Sequence, residues 1–449
     1  MKNVKSRVGA VENKLFKTAN TVTFEGELAW TLSDKERLVQ YAMTGVLGRT
    51  FYVSQKTIID EAIELVKRSD ANDLAEAIVL GRNVGYIRSF PILGLAYLSQ
   101  KNIELFKSVF CEVIKTGGDL GDFIDICHSI RGFGRGVKKA IIKWLEKNVN
   151  PYYALKYRKQ LADAIRISRI KNNDSIYAFI LRDKVDVDKE KLNKSYEEYK
   201  EFKAFDSIGE LLKNGQHKTV ANYIVDYKLD VDSLTAYYNQ FDRTIWLAIA
   251  KQSPVMRFIK YLNKFQNAGV DVYEIAKEKI TVDNLMRAKV FPFRLYMAWR
   301  EIDNTKISNL LADVLDDYIS KYDWSAFNNN SWALCPDISG SMSDRCGSNG
   351  NLRYIDIASM MTAFLYKGLD NVDVFPWNSE LKKYKMNKKD SVATQMNYLA
   401  SIGGGGTNMS VALEYLLSNN IKKDYCVFIT DTESYSRKSY WGGNGTSWL

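Results

Sequence analysis

The chain is poor in histidine, cysteine and proline, and each scarcity excludes something. Its 449 residues hold two histidines, His128 and His217, and five cysteines, Cys111, Cys127, Cys335, Cys346 and Cys426. The cysteine count is odd, and no pair has C-x-x-C spacing. A zinc site and a disulfide framework are therefore excluded as organising features, and a reducing cytoplasm is the expected setting. No run of about 18 apolar residues occurs, so no membrane span is expected. The opening MKNVKSRVGAVENKLF is basic but lacks an apolar core and a small-residue cleavage site, so it does not read as a signal peptide. Only six prolines are present. Pro91, Pro151, Pro254 and Pro292 each fit the entry or first turn of a helix.

What is there is a globular composition, 46% hydrophobic and 26% charged, long enough for two or three domains. The net charge is +10 and it is concentrated. Arg131 to Lys171 holds twelve basic residues against Glu146 and Asp163, a local net charge equal to that of the whole chain. Such a focus is the footprint of a polyanion binder, set against the plainer alternative of solvated helix faces.

Residues 1–33 show no sustained period and read as an arm. From 34 to 328 amphipathic helical patterns follow one another. In SQKTIIDEAIELVK, capped by Ser54, Ile58, Ile59, Ala62, Ile63, Leu65 and Val66 form one apolar face. Further helices are expected near 73–83, 91–99, 102–115, 120–130, 136–148, 152–170, 188–204, 206–213, 230–250, 254–267, 292–302 and on to about 320. Short joints and the absence of a strand-rich block favour an irregular α-solenoid over a single bundle.

From 329 to 449 the pattern becomes β-α-β. Strands are expected at 332–337, 371–377, 380–386 and 424–430, and helices at 352–369, 391–401 and 408–418, giving a parallel sheet in an α/β domain. The organising stretch is WALCPDISGSMS. A buried strand from Trp332 delivers Asp337, Ser339 and Ser341 to the loop at its carboxyl end, where open α/β sheets bind ligands. The Gly403–Gly406 run presents Thr407, and the strand CVFIT ends at Asp431. Hard oxygen donors on tight loops suit Mg²⁺.

The order D-x-S-x-S, then Thr, then Asp resembles the metal-ion-dependent adhesion site (MIDAS) of von Willebrand factor A (vWA) domains. That resemblance implies direct Mg²⁺ ligation by Ser339 and Ser341. Thr407 would bind directly or through water, Asp337 and Asp431 mostly through water, and an open position would take a partner's carboxylate. Two departures from the pattern stand out. Pro336 cannot donate to a ladder and should sit where the strand leaves the sheet. The chain also reaches Leu449 with two vWA strands unread, so an incomplete domain with an apolar edge at Cys426–Thr430 is expected, completed by a second polypeptide or reflecting an interrupted frame.

A helical region with a basic focus followed by a vWA domain resembles the Ro 60 kDa (TROVE) family of RNA-binding proteins. GRTFYV (48–53), RGFGRGVKKAIIKWLEK (131–147), VFPFRLYMAWREI (290–302), DISGSM, GGGGTNMS and FITDTES carry the likeness. It implies a ring of HEAT-like helical repeats closed by the vWA domain. It also implies small noncoding Y-like RNAs bound on the outer surface, single-stranded 3′ ends of misfolded RNAs in the central hole, and noncoding RNA quality control. The vWA domain would receive an exoribonuclease or another protein. Family RNA contacts match Lys138, Lys139 and Lys143, then Lys156, Arg158 and Lys159, then Arg166, Arg169 and Lys171. Arg169 aligns where the family has a histidine. Arg131 and Arg135 flank a turn whose Phe133 could stack on a base or lie in the core.

No nucleophile is placed beside a base, and the site supplies only two carboxylates, too few for a two-metal nuclease. The reading is a non-enzymatic RNA-binding protein. The rival is a Mg²⁺-dependent protein-interaction scaffold whose helices bind protein.

Overall fold

The computed structural model describes residues 21–22, 28–29, 31–44, 47, 55–171, 174–346 and 352–431. Ser54, all of GRTFYV and everything beyond Asp431 lie outside them. The chain forms two compact units. One holds the helix Asp34–Thr44 and the span Gln55–Ala288, and the other continues from Lys289.

The first unit is helical throughout its described residues. Polar caps punctuate it. Asp70, Asn102, Asn150, Asp188, Asp230, Asp242 and Thr281 each accept a hydrogen bond from a backbone N–H of the first turn that follows. Thr116 and Asp119 form a reciprocal capping box, and Asp119 is also bonded by Arg82 at 2.7 Å. The helix Ser89–Lys101 is buried from Phe90 to Ser99 and packs on Ala71–Asn83, Ile103–Val113 and Gly117–Ile130, which places it inside the unit. In the helix Gln55–Arg68 the buried positions are Ile58, Ala62, Leu65 and Val66, with Ile59 and Ile63 at the margin.

Three expected long helices are broken, each at a tyrosine. The 152–170 pattern divides into Pro151–Lys156 and Arg158–Ser168. Tyr157 leaves helical geometry there and packs over Gly117, where an added methyl would sit 2.6 Å from its Cβ. The 188–204 pattern ends at Glu198 and restarts at Lys200 around Tyr199, whose ring lies 5.2 Å from Phe202. The 230–250 pattern is two helices, Val231–Tyr237 and Arg243–Gln252. Between them the Tyr238 hydroxyl donates to the Phe205 carbonyl at 2.8 Å and Asp242 starts a new helix. Among the described residues, the helices Asp34–Thr44, Ser175–Leu181, His217–Asp226, Tyr273–Lys279 and Val282–Arg287 were not singled out from the sequence. Ser175–Leu181, Tyr273–Lys279 and Val282–Arg287 are too short to show a sustained period.

The second unit carries a parallel sheet whose described strands are ordered Asn371–Val374, Ser331–Pro336, Tyr425–Ile429. Ala333 registers with Asp373 on one side and Cys426 on the other. Ala412 and Leu416 of the helix Ser410–Ser418 pack on Ala333 and Cys335. The helix Tyr354–Gly368 packs on the sheet and on Val392–Ser401, and Thr305–Lys321 packs on both of these helices. Pro336 is the last strand residue; it has no N–H to donate, but its carbonyl accepts from Trp377 N–H at 3.1 Å. The expected strand at 380–386 does not form. Only an isolated bridge joins Trp377 to Leu381, and 382–387 is irregular because side chains rather than a neighbouring strand take up its carbonyls. Among the described residues the strand Tyr425–Ile429 pairs on one side only.

Candidate metal site and nucleic-acid interface

The sheet brings the expected oxygen donors to its carboxyl end. Ile338 and Met342 anchor the loop after the central strand by packing on Ile355 and Ala358. This holds Asp337 and Ser339 fully buried. The Asp337 carboxylate is fixed at both oxygens. Oδ1 accepts from the Ser339 N–H at 2.8 Å, and Oδ2 accepts from the Thr430 hydroxyl at 2.8 Å. The Ser339 and Ser341 hydroxyl oxygens lie 3.2 Å apart.

The glycine run has a specific use here. Gly404 and Gly405 have φ of +120° and +89°, values that L side chains rarely adopt. Their turn lets two loops meet backbone to backbone. Gly340 N–H donates to the Gly405 carbonyl at 2.9 Å, and Gly404 N–H donates to the Ile338 carbonyl at 2.7 Å. A methyl at Gly340 would stand 3.1 Å from that Gly405 oxygen. Thr407 follows on this tied loop and is buried. Asn378, which the motif did not single out, supports it. Its amide donates to the Gly404 carbonyl at 2.6 Å, and its backbone carbonyl accepts from Asn408 N–H at 2.9 Å. Neither Asn378 nor Thr430 forms part of the spaced motif, so only the fold reveals them.

Burial pushes the Asp337 carboxyl up. The Ser339 and Thr430 donors oppose this, and the nearby Asp431 charge adds to it. Burial pushes Asp431 up as well; the Ser341 hydroxyl opposes it from outside hydrogen-bond geometry. Both carboxylate oxygens of Asp431 are buried without a hydrogen-bond partner among the described residues. Two orphaned anionic oxygens beside two hydroxyls and a second buried carboxylate fit a hard divalent cation. No cluster of three or more His, Cys, Asp or Glu side chains suited to a metal occurs among the described residues. Any cation held here would therefore depend on hydroxyl oxygens.

The basic segment lies in the first unit. Gly132, with φ of +73°, turns the chain after the helix Gly117–Ile130, and Gly136 lets the next helix approach Ile103 closely. That helix, Arg135–Asn148, buries Val137, Ala140, Ile141, Trp144 and Leu145, with Trp144 Nε1 donating to the Ile114 carbonyl at 2.9 Å. Arg135, Lys139 and Lys143 are exposed and Lys138 half-buried. Lys159, Arg169 and Lys171 are exposed too. None of these seven has an ion pair among the described residues. Arg169 adopts φ of +56° as the C-cap of Arg158–Ser168.

The other four have partners within the chain. Arg131 donates to the Ser99 carbonyl at 2.6 Å. Arg166 pairs loosely with Asp163 at 3.5 Å. Lys156 lies between Asp230 and Asp232 at 3.4 and 3.5 Å, with its side chain 11% exposed. Arg158 pairs with Asp183 at 2.7 Å and lies over the rings of Phe179 and Tyr237. Phe133 is half-buried, its ring 6.4 Å from His128. Lys156 and Arg158 therefore hold helices together, a role that their spacing does not reveal.

Comparison with known proteins agrees with this architecture. Residues 332–440 match the Ro60 vWA domain. A curated relative, the RNA-binding protein RO60 of Deinococcus radiodurans, is 22% identical over 450 residues, spanning 92% of this chain and 83% of that protein. The crystal structure of the D. radiodurans Ro protein superposes with a TM-score of 0.68 at 18% identity, covering 90% of this chain and 87% of that one. That likeness extends the shared fold to the helical region as well as the sheet.

Proposed function

From a chain that is Ro60-like over 92% of its length, we propose a non-catalytic RNA-binding protein of a ribonucleoprotein. It binds small structured, Y-like RNAs on the basic surface of the helical unit, and it also takes single-stranded 3′ ends of misfolded RNAs. One observation carries this reading. Arg135, Lys138, Lys139, Lys143, Lys159, Arg169 and Lys171 fall within 37 residues, and none has an anion of its own among the described residues. Unneutralised cations at this density attract phosphates and release counterions when they bind. The printed name of the D. radiodurans relative supports the same class.

The vWA site serves a second partner. Ser339, Ser341, Thr407, Asp337 and Asp431 would hold Mg²⁺, which when bound offers a coordination position to a carboxylate of a protein such as an exoribonuclease. The chain's own part is to present buried, pre-oriented oxygens on loops fixed by Ile338, Met342 and Asn378. RNA capture from lysate followed by sequencing, repeated with EDTA, tests the division of labour. Salt-sensitive RNA binding that survives EDTA is expected. Absence of RNA, with EDTA-sensitive protein capture instead, would overturn the reading in favour of a Mg²⁺-dependent protein scaffold.

A further inference from the structure

Residues 380–390 of the second unit read ELKKYKMNKKD, five lysines against two acidic residues. Both acids are engaged. Glu380 pairs with Lys382, and Asp390 Oδ2 accepts from the Asn387 N–H at 2.8 Å. Lys388 Nζ donates to the carbonyls of Leu369 and Asp370. Lys383, Lys385 and Lys389 remain. They are exposed, and none has an ion pair among the described residues.

This segment has no strand partner, yet four of its carbonyls are held by side chains. The Tyr398 hydroxyl donates to Lys383 O at 2.8 Å and the Tyr366 hydroxyl to Met386 O at 3.4 Å. Gln395, buried, donates to Asn387 O at 3.2 Å and Asp390 O at 3.0 Å while accepting from the Tyr384 hydroxyl at 2.9 Å. Exposure alternates along it. Positions 383, 385, 387 and 389 face outward, and 384, 386 and 388 are half-buried. Lys389 lies on a turn closed by Asp390 N–H donating to the Asn387 carbonyl at 3.1 Å. Lys383 and Lys385 lie two residues apart, and like-facing residues two apart in an extended chain are separated by about 6.6 Å. That resembles the spacing of successive phosphates along an extended single strand.

We propose that Lys383, Lys385 and Lys389 form a second RNA contact of this chain, gripping the phosphodiester backbone of a single-stranded segment. The inference rests on the RNA-binding reading above and adds a site in the other unit. A fixed row of cations tracks a backbone without reading bases. Tyr384 and Tyr398 are tied into the frame by their hydroxyls, so contact through phosphates alone, indifferent to sequence, is expected.

The test compares the full chain with its Lys383→Gln/Lys385→Gln/Lys389→Gln variant for binding to a uridine and an adenosine oligonucleotide across a salt series. At ~0.7 per single-strand phosphate, the slope of log affinity against log salt should fall by about 2 with both oligonucleotides. The melting temperature should be unchanged, because these amines hold nothing else among the described residues. A folded variant with the wild-type slope would overturn the second contact while leaving the first intact. Loss of retention on a polyglutamate probe with the RNA slope unchanged would assign the lysines to an acidic protein and overturn it too. A wild-type chain that binds neither oligonucleotide nor any structured RNA would overturn both readings together.

Discussion

Replacing Lys138, Lys139 and Lys143 by alanine separates the RNA surface from the helix on which it sits. The three lysines lie on Arg135–Asn148 away from its buried positions and lack ion pairs among the described residues. Alanine is also the better helix former, so stability should move by no more than about 0.5 kcal/mol. If each lysine neutralises one phosphate, the slope of log affinity against log salt falls by ~0.9 per site, about 2.7 in all. Between about 50 and 200 mM salt the wild type should then lose about 40-fold more affinity than the variant does. Lys156→Ala should do the reverse. Its amine lies 3.4 Å from buried Asp230, which retains Arg257 as a partner. Loss of one of two cations there should cost about 1–3 kcal/mol and leave the salt slope alone. Fluorescence anisotropy with a structured RNA and thermal melts of both variants read the two quantities. A folded triple variant with an unchanged slope would refute the reasoning, as would a Lys156→Ala protein of normal stability and flattened slope.

Three other outcomes are expected. Mg²⁺ at about 100 times its Kd should add about 2.7 kcal/mol to the second unit, seen as a rise in Tm that Ser339→Ala/Ser341→Ala abolishes without changing RNA affinity. Asp356 is buried, which alone would raise its pKa, but the Arg353 and Arg300 guanidiniums outweigh this and hold the carboxyl below the usual carboxylate range. Its contribution is therefore complete above the ordinary carboxylate pKa and lost as pH falls through the lowered folded value. Asp356→Asn should cost about 1–3 kcal/mol at neutral pH and flatten the acid limb of a urea-stability profile; an unchanged acid limb would count against the clamp. Gly81→Ala places a methyl 2.6 Å from the Ala42 carbonyl oxygen, so urea unfolding should show a loss of about 1–3 kcal/mol.

The sequence by itself determined what depends on near neighbours. Apolar periodicity marks the buried face of Arg135–Asn148, and the alternation of strands and helices after residue 329 marks a parallel sheet. The loop positions of Asp337, Ser339, Ser341, Thr407 and Asp431 were legible because each lies just after a strand or a glycine turn, where a short motif fixes geometry. Tertiary structure decided what depends on distant partners. Tyr157 breaks a helix because Gly117 leaves room for its ring. The 382–387 segment is no strand because Tyr366, Gln395 and Tyr398 take its carbonyls. Asn378 and Thr430 join the loops at the carboxyl end of the sheet only once the described strands lie side by side. Lys156 and Arg158 look no different in sequence from Lys139 and Lys143. Only the fold sets Asp230 and Asp183 against the first pair and leaves the second facing water, because a charge's partner is chosen by packing across the chain rather than by its neighbours along it.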